Sequence, residues 1–218
     1  MLLVIEEMEA VFSHSEIADD FFTLLYSWHE EGTYGDSNSK IWGKLRLVLV
    51  RSTELYVPLD VNRSLAAASA SPLQMGLTIE LQRFTPQQVD DLARRHGLHL
   101  SSQQLEQLNQ LVGGHPYLVR LALYHLAQQT ITIEEMFSTA TTDASIYQHH
   151  LDQLLGHLQQ HPVLAVAFAD VLKAPTPIKL ELKLASQLHT LGLVDIEDNA
   201  VTASCQLDRQ YFKFAIDL

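Results

Sequence analysis

Two adjacent carboxylates, Glu6 and Glu7, follow directly on the apolar run Leu2-Leu3-Val4-Ile5. A short continuous run of Val, Ile and Leu is the pattern of a strand in a parallel sheet, expected to be covered by helices on both faces. In open α/β sheets, ligands sit just beyond the carboxyl ends of the strands. Two acids placed there can hold a divalent cation and polarise a water. The same pair also suits the plain opening of a solvated loop. Ser52 and Thr53 stand at the end of a second apolar run, residues 45–50. Their hydroxyls can meet a phosphate or, equally, cap nearby backbone. Gly113-Gly114-His115-Pro116 is a third constellation. Its glycines let backbone approach a ligand closely, and its proline fixes a helix start. A glycine C-cap followed by a new helix would write the same string.

Other chemistries are excluded by what the chain lacks. No Gly-x-x-x-x-Gly-Lys-[Ser/Thr] occurs; the pair Gly43-Lys44 has Asn38 at the first glycine position and Leu45 in place of the hydroxyl. That motif supplies the amide cradle, the phosphate lysine and the Mg²⁺ hydroxyl together. The 11 histidines are scattered, with no HExxH and no Cys/His zinc spacing, so they read as surface or packing residues. Cys205 is the one cysteine, which rules out an internal disulfide and suits a reducing compartment. The net charge is −12: residues 1–144 carry 9 basic and 18 acidic side chains, and residues 145–218 carry 5 and 8. Neither half offers the basic face that phosphate-backbone binding needs, which argues against nucleic acid. No stretch is long and apolar enough to span a bilayer, and the first residues lack a signal peptide's basic region. A cytoplasmic protein with no membrane contact is expected.

Positioning these groups requires a strand at residues 2–5, a helix from about Ser15 to Glu31, and a strand at residues 45–50, the βαβ pattern. Within the helix, Ile17, Phe21, Leu24, Leu25 and Trp28 recur at helical spacing and are expected to face inward, with Ser13 and Glu16 as a capping box. The Ser/Ala-rich residues 64–71 read as a loop, and the alternation over residues 77–81 predicts a third strand. Only helices follow for some distance. Thr85-Pro86-Gln87-Gln88 joins an N-cap, a proline at the first helical position and a capping-box Gln; Ser101 with Gln104 repeats the signal. A helix over 117–128 and a short one near 133–138 come next. Helices at about 144–160, 163–173 and 182–191 then lead to a hairpin of residues 193–196 and 200–203 with Glu197-Asp198-Asn199 as its turn, Asp-Asn being the turn former, and a closing helix over 207–216.

In this order the chain resembles the AAA-like domain of bacterial STAND-type (AAA+) P-loop ATPases, in its C-terminal part from the acidic strand onward. The resemblance is carried by residues 17–22 (Ile-Ala-Asp-Asp-Phe-Phe), 45–54, Gly113-Gly114-His115-Pro116-Tyr117-Leu118-Val119-Arg120, and 188–194. It covers essentially the whole chain. It implies that residues 2–7 form a Walker B strand, with Glu6 at the Mg²⁺-associated position and Glu7 orienting the attacking water. Glu6 departs from the family's Asp; one extra methylene displaces its carboxylate by about a bond length. Ser52 and Thr53 would be sensor-1-like groups meeting the γ-phosphate. Gly114, His115 and Pro116 would touch the nucleotide at the start of a lid helix, with Arg120 and His189 as further phosphate candidates.

The fold expected is α/β: a partial parallel P-loop NTPase sheet over residues 1–84, an α-helical lid over 85–143 and a winged-helix domain over 144–218. The function implied is a truncated nucleotide-dependent regulatory switch, binding ATP/ADP and Mg²⁺ in the intact family but not competent to hydrolyse ATP alone. This chain by itself would then hold no cofactor. The partner expected is an N-terminal P-loop segment or a protein supplying it, with self-association as another route. Alternatives are a protein- or DNA-binding winged-helix module and a non-catalytic scaffold or remnant.

Overall fold

The computed structural model describes residues 1–8, 11, 14–34, 42–50, 77, 79 and 81–215. Its contacts fall into two units, residues 1–80 and 81–218. In the first, β1 (Leu2–Ile5) and β2 (Arg46–Leu49) pair in parallel in the register Leu2↔Arg46 to Ile5↔Leu49. They are joined through α1 (Ser15–Tyr34) and a short 3-10 turn, Trp42–Lys44. A parallel pair needs such a crossover, so the βαβ reading and the small parallel sheet are found.

Burial in this unit departs from expectation. Both strands alternate exposed and half-buried residues rather than being covered on both faces. Ile5, Leu47 and Leu49 pack against Met8, Ala18, Phe22 and Leu25, whereas Leu2 and Val4 are 65% and 46% exposed. Among the described residues of this unit, one helix lies beside the two strands and covers one face. The inward stripe of α1 is Ala18, Phe22 and Leu25, at i, i+4 and i+7, while Ile17 and Leu24 are exposed. Of the expected face, Leu25 is buried and Phe21 and Trp28 pack half-buried against the same core, so the stripe is turned toward Ala18 and Phe22 and leaves Ile17 and Leu24 outside. The narrow sheet selects Phe22 as the central contact, and Trp28, packed beside that core, also stacks on Trp42 at 5.5 Å. Of the expected third strand, Leu77, Ile79 and Leu81 are described outside any strand and strongly exposed. Ser13, Ser52, Thr53 and residues 64–71 lie outside the described residues.

The second unit is built from α2 (Pro86–Arg95), α3 (Ser102–Val112), α4 (Pro116–Ala127), α5 (Ile133–Thr139), α6 (Gln148–Gln160), α7 (Pro162–Lys173), α8 (Leu182–Thr190), the antiparallel β3 (Val194–Glu197) and β4 (Ala200–Ala203), and α9 (Gln206–Ala215). Local chemistry sets its boundaries. Thr85 and Ser101 form reciprocal capping boxes with Gln88 and Gln104, and Thr132 does so with Glu135. Asp198 and Asn199 both adopt positive φ (48° and 64°), as a two-residue hairpin turn matched to strand twist requires. One buried core runs from Val89 in α2 through Leu118, Tyr147 and Phe168 to Phe212 in α9. The rings of Phe168 and Phe212 meet edge-on at 5.5 Å, fastening α9 to α7. Among the described residues, no helix is long and apolar enough to cross a membrane.

Candidate functional site

The parallel ladder places Glu6 and Glu7 at the carboxyl end of β1. Val50, just past β2, clamps the pair from both sides: its amide donates to the Ile5 carbonyl at 2.8 Å, and its carbonyl accepts from the Met8 amide at 3.3 Å. The two glutamates therefore form a bend held against the end of β2. Glu7 lies in the left-handed region at φ 55°, an uncommon and costly conformation for a side chain of this type. Both residues are exposed. Met8 beneath them is fully buried and anchors the bend from inside.

Chemically, this end offers carboxylate oxygens and nothing else among the described residues. Mg²⁺ commonly binds through one or two carboxylates, waters and substrate phosphates rather than a closed protein cage. The clamped, exposed Glu6–Glu7 bend carries donors of that kind. Among the described residues, no group of three His, Cys, Asp or Glu side chains is placed to hold a metal unaided.

Gly114, His115 and Pro116 are brought together in the second unit. Gly113 closes α3 as a left-handed C-cap (φ 60°), its amide donating to the Asn109 carbonyl at 2.8 Å. Gly114 follows at φ 69°, and its carbonyl accepts the Phe84 amide at 2.8 Å. A Cβ on Gly114 would overlap the Phe84 carbonyl, and one on Gly113 would fall 2.7 Å from both Arg83 Nη1 and the Ser204 carbonyl oxygen. Close packing within the unit thus accounts for both glycines. Pro116 begins α4, where a missing N–H costs nothing. The half-buried His115 ring lies 5.8 Å from that of His150, which in turn lies 5.9 Å from Tyr117. Arg120 and His189 are exposed.

Several polar residues around this turn carry no signal in the sequence. Arg83 donates to the Gly113 carbonyl at 3.0 Å and pairs with Asp195 of β3 at 3.3 Å, tying the turn to the hairpin. Asp208, 4% exposed in α9, accepts from Ser204 Oγ at 3.0 Å and Cys205 Sγ at 3.1 Å through one oxygen. Burial pushes the Asp208 carboxyl above its ordinary value. Burial, then the charge of Asp208, push the Cys205 thiol up as well, so it is packing material rather than a nucleophile. Only the fold buries Asp208.

A parallel βαβ core ending in paired acids, followed by a helical unit, is the outline of a P-loop ATPase-like protein. The model of the AAA-like domain matches residues 1–214, and the chain belongs to that family. The fold is similar to a solved structure, the Walker-type ATPase PABY2304 of Pyrococcus abyssi, with a TM-score of 0.57 and 14% identity. That alignment covers 98% of this chain and 63% of the other, so the chain spans less than two thirds of its structural relative. No curated protein matches.

Proposed function

We propose that this chain is the nucleotide-responsive portion of a STAND-type regulatory switch, corresponding to the C-terminal part of an AAA-like ATPase from its acidic strand onward. The observation that carries the reading is the Glu6–Glu7 bend, pinned by Val50 at the carboxyl ends of a parallel strand pair. In this reading Glu6 holds Mg²⁺, which when bound supplies neutralisation of phosphate charge. Glu7 orients a water, and Ser52 and Thr53 follow β2 as sensor-like hydroxyls. The family resemblance assigns nucleotide contact to Gly114, His115 and Pro116 as well.

Hydrolysis by this chain alone is not expected, because no Gly-x-x-x-x-Gly-Lys-[Ser/Thr] is present to cradle the phosphates. The missing cradle would come from an added segment. A winged helix is supported by the order α6, α7, the isolated Ile178↔Val201 bridge, α8 and the β3–β4 hairpin. Five basic against eight acidic side chains in residues 145–218 favour packing within a protein over reading DNA.

The test is phosphate release by the purified chain with MgATP, beside binding of a fluorescent ATP analogue. We expect no turnover above buffer. Turnover that Glu7→Gln abolishes would overturn the proposal that the chain is incompetent alone.

A further inference from the structure

The start of α9 carries an acid in surroundings that suit it only when it is neutral. Asp208 is 4% exposed. Its Oδ2 accepts from Ser204 Oγ at 3.0 Å and from Cys205 Sγ at 3.1 Å. Its Oδ1 is buried and has no hydrogen-bond partner among the described residues. That asymmetry fits a carboxylic acid, with Oδ2 as the carbonyl oxygen taking two donors and the proton on Oδ1. Ionised, the same group would leave a bare anionic oxygen in the interior, which costs more than a buried hydroxyl. Burial accordingly pushes the Asp208 carboxyl up, against the pull of Cys205, His150, Ser204 and Arg83.

The corner around Asp208 is closed by the α3–α4 turn. A Cβ on Gly113 would fall 2.7 Å from the Ser204 carbonyl oxygen and 3.1 Å from Cys205 Cβ, so the turn lies directly on the corner. Arg83 secures Gly113 by donating to its carbonyl at 3.0 Å, and pairs with Asp195 of β3 at 3.3 Å. The titratable and charged groups facing Asp208 are Cys205 on its own corner, His150 of α6, and Arg83 with its partner Asp195. Tyr147, just before α6, faces Cys205, and His115 lies beyond His150 at 5.8 Å between rings. Further along α9, Phe212 is fully buried and meets Phe168 of α7 edge-on. The helix thus has an anchor outside its first turn, and that turn can loosen while the rest stays docked.

We infer that the start of α9 is a proton-operated latch: protonated Asp208 closes the Ser204–Asp208 corner on the Gly113 turn, and its ionisation opens that corner to water. The latch does not depend on the nucleotide reading. Its sign follows from the direction of the shift. The folded value lies above the unfolded one of about 3.8, so the latch is fully closed below that pH and loosens as pH rises through the folded value. Opening is a local fluctuation whose population grows with pH, not a loss of the fold.

Cys205 is the one cysteine in the chain and donates to Asp208, so its reactivity reads the corner directly. The test is the rate at which the full chain reacts with dithiodipyridine, a disulfide reagent that modifies thiols in acid as well as neutral solution. Dividing the rate of the urea-unfolded chain at the same pH by this rate gives the protection of Cys205 and removes the thiol's own pH dependence. We expect protection to fall about tenfold from pH 4 to pH 8. In Asp208→Asn, which keeps the shape and cannot ionise, it should stay level. Ser204→Ala removes a donor that favours the ionised form, so the fall should move to higher pH. Level protection in the parent chain overturns the latch. So does a fall that Asp208→Asn retains, or one that Ser204→Ala moves to lower pH. Should Asp208→Asn fail to fold by circular dichroism, the parent and Ser204→Ala profiles decide alone.

Discussion

At the scale of single residues, Glu7 and Gly114 both adopt left-handed backbone, for different reasons. Glu7 is held at φ 55° where the chain leaves β1, and the resulting bend keeps two carboxylates at the sheet's end. Asn or Gly would sit there with less strain, so backbone stability does not account for a glutamate at this position. Gly114 is held by contact: its φ is 69° and the Phe84 carbonyl occupies the space a side chain would need. Gly114→Ala must break the Phe84–Gly114 hydrogen bond or twist α4 away from α3. We expect a loss of about 2–4 kcal/mol in the second unit, read as a lower urea midpoint by circular dichroism. A midpoint within error of the parent would show that the turn can open without cost.

At the scale of elements, the corner between α6 and α7 is pH-sensitive. His157 and His161 stack at 4.3 Å, and His161 Nδ1 lies 2.9 Å from the His157 carbonyl oxygen. Burial and the neighbouring His161 lower the His157 pKa below 6.5. The folded state therefore prefers neutral His157, while the unfolded chain takes up the proton near 6.5. Stability contributed here is complete above pH 6.5 and is lost as pH falls through the folded pKa. The expected outcome is a melting temperature that drops between pH 7 and pH 5, with a shallower drop in His157→Gln. Equal slopes in the two proteins would remove His157 as the cause. The pair was visible in the sequence only as two histidines among eleven; stacking depends on the proline-led turn between the helices.

At the scale of the whole molecule, the described residues of the two units differ in packing. Residues 81–215 share a core drawn from every helix described there, whereas the described core of the first unit is Met8, Ala18, Phe22 and Leu25. Each fully buried Phe or Leu contributes roughly 1.5–3 kcal/mol, so the core of the first unit's described residues contributes less against chain entropy. Both tryptophans, Trp28 and Trp42, are stacked in that unit, so their fluorescence reports it alone. Far-ultraviolet circular dichroism is dominated by the helices of the second. In urea, the fluorescence transition should precede the main dichroism transition. Coincident transitions would mean that the chain unfolds as one body.

Features written in neighbouring residues were legible from the sequence. The Thr85 and Ser101 capping boxes, the Asp198-Asn199 hairpin turn, the proline helix starts and the placement of Glu6–Glu7 at a strand end all follow from contacts within a few residues, where local torsions and hydrogen bonds decide. The inward side of α1 followed in part: Phe21, Leu25 and Trp28 lie in or against the core as their spacing predicts, whereas the choice of Phe22 over Ile17 and Leu24 is made by the sheet. The clamp of Val50 on the acidic bend, the reach of Arg83 to Gly113 and Asp195, and the burial of Asp208 did not follow. Each joins residues tens of positions apart or depends on how many layers cover them. The exposed residues of β1–β2 are the clearest case. Leu2 and Val4 are apolar enough to be buried, and only the tertiary structure shows them exposed among the described residues.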